Sequence, residues 1–155
     1  MNIRPSLHET YLKMLGPLEQ RTTCIRRGVA CILTDSKGRV LSTGYNGVAA
    51  GELHCNRQDP VDKEYHNKCS ELNFKQGQGL EICKAIHAEQ NALLQCPNVD
   101  AISVAYVSCT PCIHCVKLLM NTGCQLIVAK EVYDFEALLL WMKSGKRDYI
   151  IYDNV

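Results

Sequence analysis

The chain has 155 residues, 46% of them apolar and 21% charged, with a formal net charge of +1. That length suits one domain with its own core, residues 1–155 as a unit, and the near-neutral balance disfavours a nucleic-acid-binding protein with a broad basic surface. No apolar run approaches a membrane span, and the N-terminal MNIRPSLHETYLKML carries charges where a signal peptide needs an apolar core, so a cytoplasmic protein is expected, or one of the host cytoplasm if viral.

In chain order, residues 6–15 show apolar positions at Leu7, Tyr11, Met14 and Leu15 and read as a helix, bounded by Pro5 and by Gly16-Pro17. A second short helix is expected to end near Cys24. Residues 29–34, VACILT, form a continuous apolar run and read as a buried strand. Asp35-Ser36-Lys37-Gly38 is a hairpin-type turn, and residues 39–45 return as a second strand. Gly44-Tyr45-Asn46-Gly47 follows, with glycines that let a ligand approach the main chain and an Asn that offers donors and acceptors. Residues 49–79 show no period and hold His54, Cys55, His66 and Cys69, a long loop of the sort that function or a metal pins down.

Residues 81–95 read as the strongest helix, stopped by Pro97, with Ile82, Ile86, Leu93 and Leu94 marking one face. A strand over 101–107, a helix over 112–121, a strand over 125–129, a helix over 135–142 and a last strand over 148–152 complete the chain. One hairpin followed by alternating helices and strands predicts an α/β domain with a mixed sheet and helices on both faces. Within the last helix, Leu138 to Met142 is an unusually apolar run that either packs in the core or meets another subunit.

Ten cysteines are many for a chain of this length. In a reducing compartment they point to metal ligation or burial rather than disulfides. Cys31, Cys109 and Cys124 lie in or beside apolar runs and read as small core residues. The chemistry concentrates in two stretches, His87-Ala88-Glu89 and Pro111-Cys112-Ile113-His114-Cys115. Two thiolates at the start of a helix can reach one ion, and the helix N-terminus favours their anionic form. Adding His87 gives the three-ligand set of a catalytic zinc site, which keeps its fourth position open. A strand between the two helices would bring both helix N-termini to one sheet edge. Glu89, two residues from a ligand, is placed to move protons without occupying the metal. His114 reads as a neighbour facing elsewhere. A C-x-x-C alone also fits a thiol oxidoreductase or half of a structural zinc site in a non-catalytic binding module, and the joint pattern is what favours the enzyme.

H-x-E followed by P-C-x-x-C is the signature of zinc-dependent deaminases. Together with Cys24-Ile25-Arg26-Arg27, Gly44-Tyr45-Asn46-Gly47, His54-Cys55, Cys83, the stretch His87-Ala88-Glu89-Gln90-Asn91-Ala92, Ser108-Cys109-Thr110 and Tyr133, it makes the sequence resemble the deoxycytidylate (dCMP) deaminases of the cytidine deaminase superfamily. The resemblance covers residues 24–133 and departs most over 130–155. It implies a three-layer α/β/α cytidine-deaminase-like fold with a mixed five-stranded sheet. It implies hydrolysis of dCMP to dUMP and ammonia, supplying thymidylate synthesis, with dCTP or another cytosine or adenine compound as the alternative substrate. His87, Cys112 and Cys115 would hold Zn2+, and Glu89 would shuttle protons. Asn46 would bond the deoxyribose, Tyr133 would lie near sugar and phosphate, and Arg26 would grip the phosphate. Cys24, Cys55, Cys69 and Cys83 would hold a second, structural Zn2+, with His54 or His66 as possible substitutes. Family members are commonly hexamers, many activated by dCTP and inhibited by dTTP at a site near the G-Y-N-G loop, where Mg2+ would accompany the effector. No membrane or nucleic-acid partner is expected.

Overall fold

The structure is a computed structural model and describes residues 3–52, 54–55 and 83–153. Five strands form one sheet in the order β2-β1-β3-β4-β5. They are β1 Ala30–Thr34, β2 Val40–Tyr45, β3 Val104–Val107, β4 Leu126–Ala129 and β5 Asp148–Ile151. β1 runs antiparallel to β2 and β3, whereas β3, β4 and β5 are parallel. The helices are α1 Leu7–Glu19, α2 Ala88–Gln95, α3 Ile113–Met120 and α4 Phe135–Met142. The mixed five-stranded sheet matches the expected fold.

The central strands alternate between two cores, as a period of two requires. Cys31, Leu33, Ala105, Val107, Ile127 and Ala129 face one side, where Ala88, Ala92, Val116, Leu119 and Trp141 bring in α2, α3 and α4. Ala30, Ile32, Tyr106 and Val128 face the other, covered by Leu12 and Leu15 of α1. Helices thus lie on both faces. Cys31, Cys109 and Cys124 are buried, as their apolar settings predicted.

The hairpin between β1 and β2 is closed by Asp35. Its Oδ1 accepts from the backbone N–H of Lys37 and Arg39, both at 2.9 Å, and its Oδ2 accepts from Arg39 Nε at 2.7 Å. Gly38 takes φ 76°, where a side chain would be strained.

Two expectations are corrected. No second helix ends near Cys24. α1 runs on through Gly16 and Pro17 to Glu19, with Gln20 N–H bonded to the Gly16 carbonyl. An interior proline costs a helix about 3 kcal/mol, and long-range contacts offset it. The continuation packs Leu18 on the α1-side core. It also lets Glu19 Oε1 accept from Ser108 Oγ at 2.5 Å and pair with Lys130 Nζ at 3.0 Å. Of the helix expected over 81–95, residues 81–82 lie outside the described residues, and residues 83–87 are not helical. Ile86 instead bridges Gly47, with N–H to O distances of 3.1 and 2.7 Å. Its amide is spent on that bridge, so the helix starts one residue after His87. Leu94 of the expected apolar face is exposed, and the buried face is Ala88, Glu89 and Ala92. The third strand is likewise shorter than expected because residues Val99–Ala101 form a 3-10 turn.

The bounds of α4 coincide with the expectation. Its apolar run divides: Leu138 and Trp141 are in the core, whereas Phe135, Leu139 and Met142 are exposed.

Candidate metal centre and substrate pocket

His87 and Cys112 are the N-cap residues of α2 and α3, both in extended backbone conformation (ψ 155° and 169°). Cys115 follows in the first turn of α3. β3 lies between the two helices in sequence, and its parallel pairing with β4 directs both helix starts to the same edge of the sheet. His87 is held by its own backbone. Its N–H donates to Gln90 Oε1 at 2.8 Å and its carbonyl accepts from Asn91 N–H at 2.9 Å. Asn91 Nδ2 donates to the Tyr45 carbonyl at 2.9 Å, which ties the start of α2 to the end of β2.

His87 Nδ1 lies 3.4 Å from each of Cys112 Sγ and Cys115 Sγ. Tetrahedral Zn–S and Zn–N bonds put sulfur and nitrogen about 3.5 Å apart, so the three atoms are spaced as ligands of one ion. They form the one group of three potential metal ligands among the described residues. Hydrogen bonding from Cys115 and then from His87 draws the Cys112 thiol down to about 3, against the effect of burial. Cys115 is pushed well up by its bond to Cys112 and by burial. A dication bound among the three would let both thiols ionise. His87 is raised, chiefly by Cys112.

Glu89 is buried in the first turn of α2. Burial raises its pKa against the opposing pull of its own backbone amide and of His87. A buried carboxyl with raised pKa beside a metal-type cluster has the properties of a proton carrier. His114, by contrast, is exposed and outside the cluster.

His87, Glu89 and Cys112 line a pocket of about 340 Å³. Asn46, Arg26 and Tyr133, each expected to touch substrate, all line it. Burial, then Cys112 and Cys109, raises the Tyr133 phenol, with Arg26 pulling the other way. Arg27 and Thr110, given no role from sequence, also line the pocket, as does Cys109, which had been read only as a small core residue. Arg27 is ion-paired with Glu131, a contact across 104 residues that no local pattern announces. Thr110 is fully buried, and its Oγ1 accepts from the backbone N–H groups of Tyr133 at 2.8 Å and Asp134 at 3.3 Å.

Of the four cysteines expected at a second zinc, Cys24 and Cys83 line this pocket and Cys55 does not. No ligand group of three forms around them among the described residues. Cys69 and His66 lie outside those residues. His54 lines a separate, more polar cavity of about 680 Å³ with Arg21, Thr23, Tyr45 and Asn91. No helix among the described residues is long and apolar enough to cross a membrane.

The family model "Cytidine and deoxycytidylate deaminase zinc-binding region" matches residues 5–131. The deoxycytidylate deaminase of Mycobacterium phage D29 is 32% identical over 133 residues, covering 81% of this chain and 94% of that protein. The deoxycytidylate deaminase of Schizosaccharomyces pombe is 29% identical over 136 residues, covering 86% of this chain and 40% of its own length. This chain thus spans less than half of the fission-yeast relative and 44% of the Saccharomyces cerevisiae one. Among solved structures, the dCMP deaminase of cyanophage S-TIM5 in complex with dCMP and dUMP superposes with a TM-score of 0.66 at 20% identity, covering 97% of this chain and 99% of that one. At that identity the likeness is one of fold.

Proposed function

We propose, since this chain belongs to the cytidine and deoxycytidylate deaminase family, that it hydrolyses dCMP to dUMP and ammonia and so supplies thymidylate synthesis. The observation that carries the proposal is a His87–Cys112–Cys115 cluster with buried Glu89 beside it, in a pocket whose walls hold Arg26 and Arg27. His87, Cys112 and Cys115 would hold a zinc ion, which would supply the Lewis acidity that makes water a competent nucleophile near neutral pH. Glu89 takes a proton from the attacking water and gives one to ring N3. Water oxygen bonds to C4, and the exocyclic C4–N bond breaks as Glu89 delivers the second water proton to the departing amine. The raised Glu89 pKa suits a group that must both accept and release a proton. Arg26 grips the phosphate, Tyr133 stands near sugar and phosphate, and Asn46 meets the deoxyribose.

The test is ammonia release from dCMP, with dCTP, deoxycytidine and an adenine nucleotide alongside. Glu89→Gln should lower kcat at least about 100-fold with zinc content unchanged. Full activity in that variant would make the mechanism wrong. Stoichiometric zinc without turnover of any of these compounds would leave a structural-zinc binding module.

Further family features extend the proposal. The polar cavity lined by Tyr45 and Gly47 suits a dCTP or dTTP effector with Mg2+. Exposed Phe135 and Leu139 suit a subunit interface in a homo-oligomer, a hexamer by family precedent. Cys24 and Cys83, in one pocket wall, suit a second zinc with Cys55 and Cys69. Thiols without disulfides among the described residues suit a cytoplasmic setting. Light scattering with and without dCTP and dTTP, and a zinc count per chain, test these features.

A further inference from the structure

Asn46 follows β2 directly, and most of its hydrogen-bonding capacity is already used. Its Oδ1 accepts from Val29 N–H and from Thr22 Oγ1, both at 2.8 Å. Its Nδ2 donates to the Arg27 carbonyl at 2.9 Å. Its backbone N–H donates to the Val29 carbonyl at 3.0 Å, and its carbonyl accepts from Thr22 Oγ1 at 2.8 Å and Thr23 N–H at 3.4 Å. An amide side chain has two acceptor lone pairs and two N–H donors. One lone pair of Asn46 is taken by Val29 N–H and one N–H by the Arg27 carbonyl, while the single Thr22 hydroxyl hydrogen is shared between Oδ1 and the Asn46 carbonyl, so the second N–H is the donor left for a ligand.

All of these bonds reach residues 22–29, the segment between α1 and β1 that has no helix or strand of its own. Arg26 and Arg27 sit on that segment and line the pocket. The backbone on which the two guanidiniums stand therefore takes its position from the side chain that follows β2.

We propose that Asn46 is a positioning residue for nucleotide recognition. It fixes the main chain at Arg27–Val29 so that Arg26 and Arg27 meet the substrate phosphate, and it contributes at most one donated hydrogen bond to the sugar. This rests on the reading of the pocket as a nucleoside monophosphate site.

Asn46→Asp is the informative substitution. It keeps the acceptor facing Val29 and Thr22 but turns the donor facing the Arg27 carbonyl into an oxygen, so the two repel. The experiment is steady-state kinetics on dCMP with zinc-loaded protein in four forms: wild type, Asn46→Asp, the double variant Arg26→Ala/Arg27→Ala, and the triple variant. The expected result is a KM for dCMP raised about tenfold or more by Asn46→Asp, as losing one buried hydrogen bond implies, with kcat changed far less. In the background without arginines the same substitution should change KM less than about twofold, because residues acting through one another are not additive. KM effects that multiply would overturn the proposal and leave Asn46 as a sugar contact alone. Thr22→Val, which removes one bond holding Asn46, provides a milder second variant if Asn46→Asp does not fold. It too should raise KM only where the arginines are present, and an equal rise in both backgrounds overturns the proposal. A wild-type protein that does not turn over dCMP fails on the substrate reading, and the role assigned to Asn46 falls with it. Turnover with multiplying effects removes the Asn46 role only.

Discussion

Gly44 of β2 and Ala88 of α2 touch backbone to backbone, so closely that a Cβ on Gly44 would overlap the Ala88 carbonyl oxygen and the Ala92 amide. The contact sets how near α2 lies to the sheet. His87 and Glu89 flank Ala88, so the same contact sets the depth of both side chains. Ser42, two residues earlier on the same strand, adds a bond from its Oγ to the Ala92 carbonyl at 2.8 Å.

Gly44→Ala should push α2 away from the strand. Backbone on both sides leaves little room to yield, and overpacking of this kind costs about 1–3 kcal/mol. Urea unfolding should show that loss, and zinc content per chain and dCMP turnover should both fall. Wild-type stability with full zinc would mean that the helix accommodates the methyl group.

Metal removal should both inactivate and destabilise. Folded protein brings three ligands within bonding reach of one ion, so binding energy becomes folding energy. Chelation should lower the melting temperature by several degrees and abolish deamination, and zinc should restore both. Cys115→Ser should lose the zinc of this site, whereas His114→Ala, at an exposed position outside the cluster, should retain it. Loss of zinc in His114→Ala with retention in Cys115→Ser would reverse the ligand assignment.

Thr110 holds the 131–134 loop against the metal-bearing loop. Its hydroxyl accepts from Tyr133 and Asp134, and its own N–H donates to the Glu131 carbonyl at 3.0 Å. Thr110→Val conserves shape and strips two part-buried N–H groups of their acceptor, at about 1–3 kcal/mol. The variant should lose that stability and show a higher KM for dCMP, because Tyr133 is no longer held in the pocket wall. Thr110→Ser should restore both. Equal behaviour of the Val and Ser variants would show that the hydroxyl does not hold the loop.

Tyr106 predicts an alkaline weakness. Burial, with Tyr11 and Tyr152 nearby, pushes its phenol up to about 12. The unfolded chain ionises near its usual value of about 10. Between these values the unfolded state binds fewer protons, so stability falls as pH rises. The hydrogen bond between His8 Nδ1 and the phenol oxygen at 3.0 Å favours wild type over Tyr106→Phe at pH 8. That advantage should shrink as pH passes 10. A gap that stays constant from pH 8 to pH 11 in urea unfolding would contradict the shift.

The legible parts of this protein were those where a residue type carries its own chemistry or a pattern is local. The bounds of α4 follow from Asp134, whose side chain accepts from Ala137 N–H at 3.0 Å, and from the apolar run behind it. His87, Glu89, Cys112 and Cys115 stood out because few jobs need that set at that spacing. Where α2 begins was not legible. Apolar residues at Ile82 and Ile86 continue its period, yet the Ile86 backbone is bonded to Gly47, 39 residues away. Pro17 looked like a helix end because its cost is local, whereas the contacts of Leu18 and Glu19 that offset it are distant.

The amino-acid sequence by itself determined which ligand set and which carboxyl this chain can offer, since coordination chemistry and acidity belong to the side chains. Tertiary structure decided where those groups stand. It placed Arg27 in the pocket through Glu131, hung Tyr133 on Thr110, and committed Asn46 to holding the arginine segment. Each of these is a contact between segments distant in the chain, formed only when the sheet brings their ends to one edge, and no local periodicity encodes it.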